Sequence, residues 1–175
     1  SSDVCSSDLE RLVTGIDMPS LPIGEAREAL ERRARSLAGD ARIVVFGCRW
    51  GADTASLERT DTVAIGLLCA AMTPPSFIEY ALRAGADGVL VAGCREGDCE
   101  FRVGSELTAA RLAGERAPAL RPSVPRERVR LAFAGRTDGA RLRAELEDFR
   151  RHLRRLEPGA ASPGLPPRRQ EPRHG

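Results

Sequence analysis

The sequence predicts an α/β fold: a four-stranded, mostly parallel sheet with helices on both faces, of the flavodoxin-like or Rossmann-like three-layer kind. Three observations carry this. Between residues 24 and 156, short apolar runs alternate with longer amphipathic stretches, the pattern of repeated βα units. The runs are continuously apolar and rich in β-branched residues rather than alternating, as expected of strands covered on both faces. Right-handed crossovers between such strands then set them parallel.

Taken in order, the elements follow from local pattern. Gly24 to Ala38 reads as a helix, with Ala26, Ala29, Leu30, Ala34 and Leu37 forming an apolar stripe at helical spacing. Arg42–Gly47 is the first strand and Val63–Leu68 the second. Thr73-Pro74-Pro75-Ser76 opens a helix over Phe77 to Ala84, because proline in the first turn lacks only an N–H that has no intrahelical partner there. Gly85 closes that helix in the C′ role. Gly88–Gly93 is the third strand and Val129–Ala134 the fourth, with helices over Ser105 to Ala113 and Asp138 to Leu156. Leu142, Leu146, Phe149, Leu153 and Leu156 line one face of the last helix, which reads as core packing. His152, on its charged side, reads as solvated. Asp53 and Asp87 read as turn or N-cap residues.

The chain has 175 residues, 42% hydrophobic and 30% charged, which fits one soluble domain with tails. Residues 1–23 read as a disordered or linker segment, whose first nine resemble translated adapter sequence, so Cys5 carries no expectation. Residues 157–175 read as a disordered Pro- and Arg-rich tail containing His174. All 27 basic residues are arginines, set against 25 acids, for a net charge of +2. With aromatics at 4%, neither a basic stripe nor a stacking platform exists for nucleic acid. The glycine turns at Gly51 and Gly85–Gly88 lack phosphate-loop spacing, which sets nucleotide binding aside.

The chemistry lies in the cysteines. Cys48 follows the first strand, Cys69 the second and Cys94 the third, with Cys99 five residues further on in the same loop. Parallel strands bring all four to the carboxyl edge of the sheet, where open α/β sheets bind ligands. Four thiolates at one site suit either tetrahedral zinc or an iron–sulfur cluster. A thiol–disulfide site is a third chemistry, although the Cys-x-x-Cys of such sites is missing. A buried cysteine behaving as a small hydrophobe remains the bland alternative, most readily for Cys69. In Gly93-Cys94-Arg95-Glu96-Gly97-Asp98-Cys99, Gly97 is expected at positive φ. Arg49 and Arg95 either offset thiolate charge or lie on the surface, and Trp50 reads as packing. Only Glu96, Asp98 and Glu100 on these loops could act as general bases, a poor start for an enzyme.

From Ala41 to Leu153 the chain resembles the methyl-viologen-reducing hydrogenase delta subunit family of iron–sulfur proteins. The likeness rests on Val44-Val45-Phe46-Gly47-Cys48-Arg49-Trp50-Gly51-Ala52-Asp53, on Leu68-Cys69, on Ala84 to Cys99, on Arg111 and on Val124 to Arg130. It implies a [2Fe–2S] cluster held by Cys48, Cys69, Cys94 and Cys99. The chain would then be a non-catalytic electron-transfer subunit relaying electrons between redox partners such as a ferredoxin-type module, a hydrogenase or a heterodisulfide-reductase-like protein. One departure stands out: family members carry a further cysteine shortly after the first, where this chain runs Arg49-Trp50-Gly51. The alternative is a structural zinc or thiol-based interaction module. Gly15-Ile16-Asp17-Met18-Pro19 resembles the linker after an upstream ferredoxin-type domain, sometimes with membrane helices, and the free thiols point to the cytoplasm.

Overall fold

The computed structural model describes residues 22–156. Its elements run α1 (Ile23–Arg35), β1 (Ile43–Cys48), β2 (Thr62–Leu67), α2 (Pro75–Arg83), β3 (Gly88–Gly93), α3 (Gly104–Ala113), β4 (Val129–Phe133) and α4 (Gly139–Arg155). The four strands form one sheet in the order β2-β1-β3-β4 with every neighbouring pair parallel, the flavodoxin-like arrangement. The expectations for residues 1–21 and 157–175, including Cys5 and His174, lie outside the described residues. Ile23, assigned above to the linker, is the first residue of α1 and packs on the core.

Strand side chains alternate between two faces, and both faces are covered. On one, Val44, Phe46, Val89 and Val91 meet Ala26, Leu30 and Ala34 of α1 and Phe77, Ile78 and Ala81 of α2. On the other, Ile43, Val45 and Leu90 meet Leu142, Leu146, Phe149 and Leu153 of α4. The apolar stripes of α1 and α4 are therefore core, as their spacing predicts. Each large side chain buried in this way stabilises the fold by about 1.5–3 kcal/mol. At Gly88 a Cβ would lie 2.6 Å from Leu153 Cδ1 and 2.7 Å from Phe149 Cζ, so α4 rests on bare strand backbone.

Several boundaries differ from expectation for identifiable reasons. Arg42 stays outside β1 because its N–H donates to Asp87 Oδ2 at 2.8 Å, while its guanidinium reaches the same carboxylate at 2.9 and 3.0 Å. Asp87 is thus a clamp between the starts of β1 and β3, not a turn residue. Asp53 keeps its turn role, accepting from the Ala55 N–H at 2.9 Å. Helix α1 ends at Arg35 rather than Ala38, where the Ser36 hydroxyl donates to the Arg33 carbonyl at 2.8 Å in competition with the helix ladder. His152 is half-buried rather than fully solvated: its ring stacks on Phe149, and its Nε2 donates to the Glu127 carbonyl at 3.1 Å. Among the described residues no helix is long and apolar enough to cross a membrane.

Candidate metal centre

The chain leaves β1 toward the α4 face, where Ala52 and Leu57 pack, and leaves β3 toward the opposite face, which carries α3. The crevice between the carboxyl ends of β1 and β3 is therefore the switch point of the sheet. Cys48, the last residue of β1, and Cys94, the first after β3, straddle it with their sulfurs 3.3 Å apart. Both are buried, and no disulfide joins them. The backbone around them is pinned: Arg49 N–H donates to Leu67 O at 2.8 Å, Ala134 N–H to Gly93 O at 3.0 Å and Ala52 N–H to Ala134 O at 3.1 Å. Gly51 is wedged among these carbonyls, where a Cβ would meet Ala134 O at 3.1 Å.

Cys69 and Cys99 both border the start of α3. A Cβ on Gly104, the first residue of that helix, would lie 2.7 Å from Cys69 Sγ and 3.0 Å from Cys99 Sγ. Only glycine leaves both sulfurs their room. The Cys69 loop is a 3-10 turn over Ala70–Met72, held down by Arg111 of α3, whose Nη1 donates to Ala71 O at 2.5 Å. Ser105 ties the two halves together by donating its hydroxyl to Cys94 O at 3.1 Å. Gly97 adopts φ +82°, as predicted, and Arg102 also lies at positive φ, +63°.

The four thiols are electrostatically one group but not equivalent. Burial, then the hydrogen bond and charge of Cys48 and the charges of Cys99 and Cys69, push the Cys94 thiol up to about 12. Burial likewise raises Cys69, against an Ala71 backbone N–H that lowers it. Half-buried Cys99 moves the opposite way: burial acts upward, but the N–H groups of Ser105, Phe101 and Gly104 and the Ser105 hydroxyl outweigh it. Bringing four thiolates together here without a cation is unfavourable.

A thiol-ligated metal group fits this donor set: all-sulfur ligands, a side-chain-free cradle at Gly104, and backbone N–H groups aimed at one sulfur. Among the described residues, no three His, Cys, Asp or Glu side chains stand as ligands of one metal ion. Cys48 and Cys94 are in contact, Cys69 reaches Cys48, and Cys69 and Cys99 both border Gly104.

The structure thus brings all four sequence-predicted cysteines to one edge. It takes Arg95 elsewhere, into a pair of hydrogen bonds with Asp138 at 2.6 and 3.0 Å, and leaves Arg49 exposed. Trp50 packs against the core, as expected. Sequence reasoning missed the parts played by Gly104 and Ser105. A glycine opening a helix a few residues after a cysteine is the signal that points to them.

The profile of the methyl-viologen-reducing hydrogenase delta subunit family matches residues 43–157. The chain is 31% identical over 127 residues to the iron–sulfur subunit of the F420-non-reducing hydrogenase of Archaeoglobus profundus, a match spanning 68% of this chain and 93% of that protein. The corresponding iron–sulfur protein of the vhc F420-non-reducing hydrogenase of Methanococcus voltae is 28% identical over 127 residues, with 68% of this chain and 88% of that protein covered. One component of the ferredoxin/F420H2-dependent CoB-CoM heterodisulfide reductase of Methanosarcina acetivorans is 30% identical over 124 residues, 66% of this chain but 16% of that much longer protein. With its four-cysteine sheet edge inside the matched region, the chain belongs to the methyl-viologen-reducing hydrogenase delta subunit family.

Proposed function

We propose that this protein is an electron-transfer subunit whose Cys48, Cys69, Cys94 and Cys99 hold a [2Fe–2S] cluster, relaying electrons between redox partners of the hydrogenase, heterodisulfide-reductase or ferredoxin kind. The observation that carries the reading is the gathering of four interacting thiols at one sheet edge, inside a region similar to iron–sulfur subunits. A binuclear cluster takes two thiolates per iron, a number that these four cysteines supply. Such a cluster, when bound, accepts and donates one electron. The chain's own part is to supply sulfur, to exclude water with the buried walls around Cys48, Cys69 and Cys94, and to aim the N–H groups of Phe101, Gly104 and Ser105 at Cys99.

The deciding experiment is the visible and electron paramagnetic resonance spectrum of anaerobically purified protein before and after dithionite, with iron, sulfide and zinc analysis. A reducible binuclear signal is expected, lost in Cys48→Ser and Cys94→Ser. In Gly104→Ala, iron should fall to less than about half of wild type, because overpacking at a rigid site displaces its neighbours. A colourless, zinc-loaded protein would overturn the reading.

A further inference from the structure

On the α4 face of the switch point, the sheet edge opens into a cleft of about 480 Å³ whose wall includes Cys48, Gly47, Gly66 and Thr54. Arg49 and Arg136 stand in its lining with Asp53. Both arginines are exposed. Neither has a carboxylate partner among the described residues, whereas Arg95 on the loop after β3 is paired with Asp138. Arg136 is held over the Trp50 ring, its Cζ 6.0 Å from the centroid. The loops that carry the two guanidinium groups are joined by the Ala52-to-Ala134 hydrogen bond. Asp53, in the same lining, accepts from the Ala55 N–H and forms no ion pair with either arginine among the described residues. The cleft is therefore a recess with two cations and one carboxylate in its lining, net positive, next to the strand end that supplies Cys48.

We infer that this cleft is a docking site for an acidic one-electron carrier protein, which inserts a carboxylate-bearing loop between Arg49 and Arg136. The inference rests on the electron-relay reading and adds the charge and place of one partner. Charge complementarity selects the occupant: guanidinium forks favour carboxylates bidentately, and opposite fields steer association. Position gives the purpose, because docking here brings the carrier against the backbone of a cysteine that is itself buried.

The test is calorimetric titration of anaerobically purified full chain with an acidic bacterial ferredoxin, a readout that needs no electron transfer. At low salt, saturable binding is expected. It should weaken about tenfold in R49E/R136E and by an intermediate factor in R49Q/R136Q. Raising NaCl from about 20 to about 300 mM should weaken wild-type binding by a similar factor and leave the charge-reversed variant nearly unchanged. No binding to wild type, or binding indifferent to both variants and to salt, would overturn the proposal. Saturable binding of inorganic pyrophosphate that R49E/R136E abolishes, without ferredoxin binding, would give the cleft to a small anion and overturn it equally. A protein without iron would instead sink the relay reading, and its spectrum would report that independently of the titration.

Discussion

Cys94 and Cys99 are five residues apart and differ in the direction of their acidity. Cys94 sits under the sheet edge against Cys48, where burial disfavours its thiolate and pushes it up to about 12. Cys99 stands half-buried at the start of α3, where three backbone N–H groups lower it against burial. Since the thiolate is the nucleophile, metal-free protein treated with iodoacetamide near pH 7.5 should, among Cys48, Cys69, Cys94 and Cys99, be modified first at Cys99 and last at Cys94. Peptide mass spectrometry over a time course reads the order, and simultaneous modification would contradict this electrostatic picture. The four cysteines were legible in the sequence because each lies at a strand end or in the loop that a strand feeds. Their inequality was not, because it depends on which side of a loop the helix N-terminus approaches.

Among the elements, β1 and β3 are locked at their starts by the Arg42–Asp87 clamp and at their ends by the thiol pair. Burial acts to raise the Asp87 carboxyl, but the hydrogen bonds and charge of Arg42 outweigh it and hold it below the usual carboxylate range. A carboxyl with a depressed folded value contributes stability that is present above its unfolded pKa of about 3.9 and lost as pH falls through the folded value. Asp87→Asn should therefore lower stability at pH 7 by about 1 kcal/mol, a modest figure for a half-exposed pair. The gap to wild type should close below about pH 3, and urea titrations at both pH values measure it. Apolar runs and stripes made all four strands and four helices legible to within a few residues. The exceptions, at Arg42 and Ser36, are places where a side chain takes a hydrogen bond that the regular ladder would otherwise use.

For the whole molecule, the loops after β1, β2 and β3 belong to separate parts of the chain and meet only because the sheet is closed on both faces. A cluster held by all four cysteines would join these loops, so its binding energy would appear as folding energy. Anaerobic removal of iron with a chelator should lower Tm by about 5 to 10 °C, and Cys48→Ser should already melt at the lower temperature and ignore the chelator. Scanning calorimetry checks both. By itself, the sequence determined the parallel α/β architecture, the cores of its helices and the gathering of Cys48, Cys69, Cys94 and Cys99 along one edge. These follow from local periodicity and from the handedness of crossovers. Only the tertiary structure decided the strand order, the contact of Cys48 with Cys94, the crowding of Cys69 and Cys99 against Gly104, and the meeting of Arg49 and Arg136 over one cleft. The reason is physical: periodicity records which residues are buried, while contacts between distant loops depend on which strands become neighbours and how closely their backbones pack.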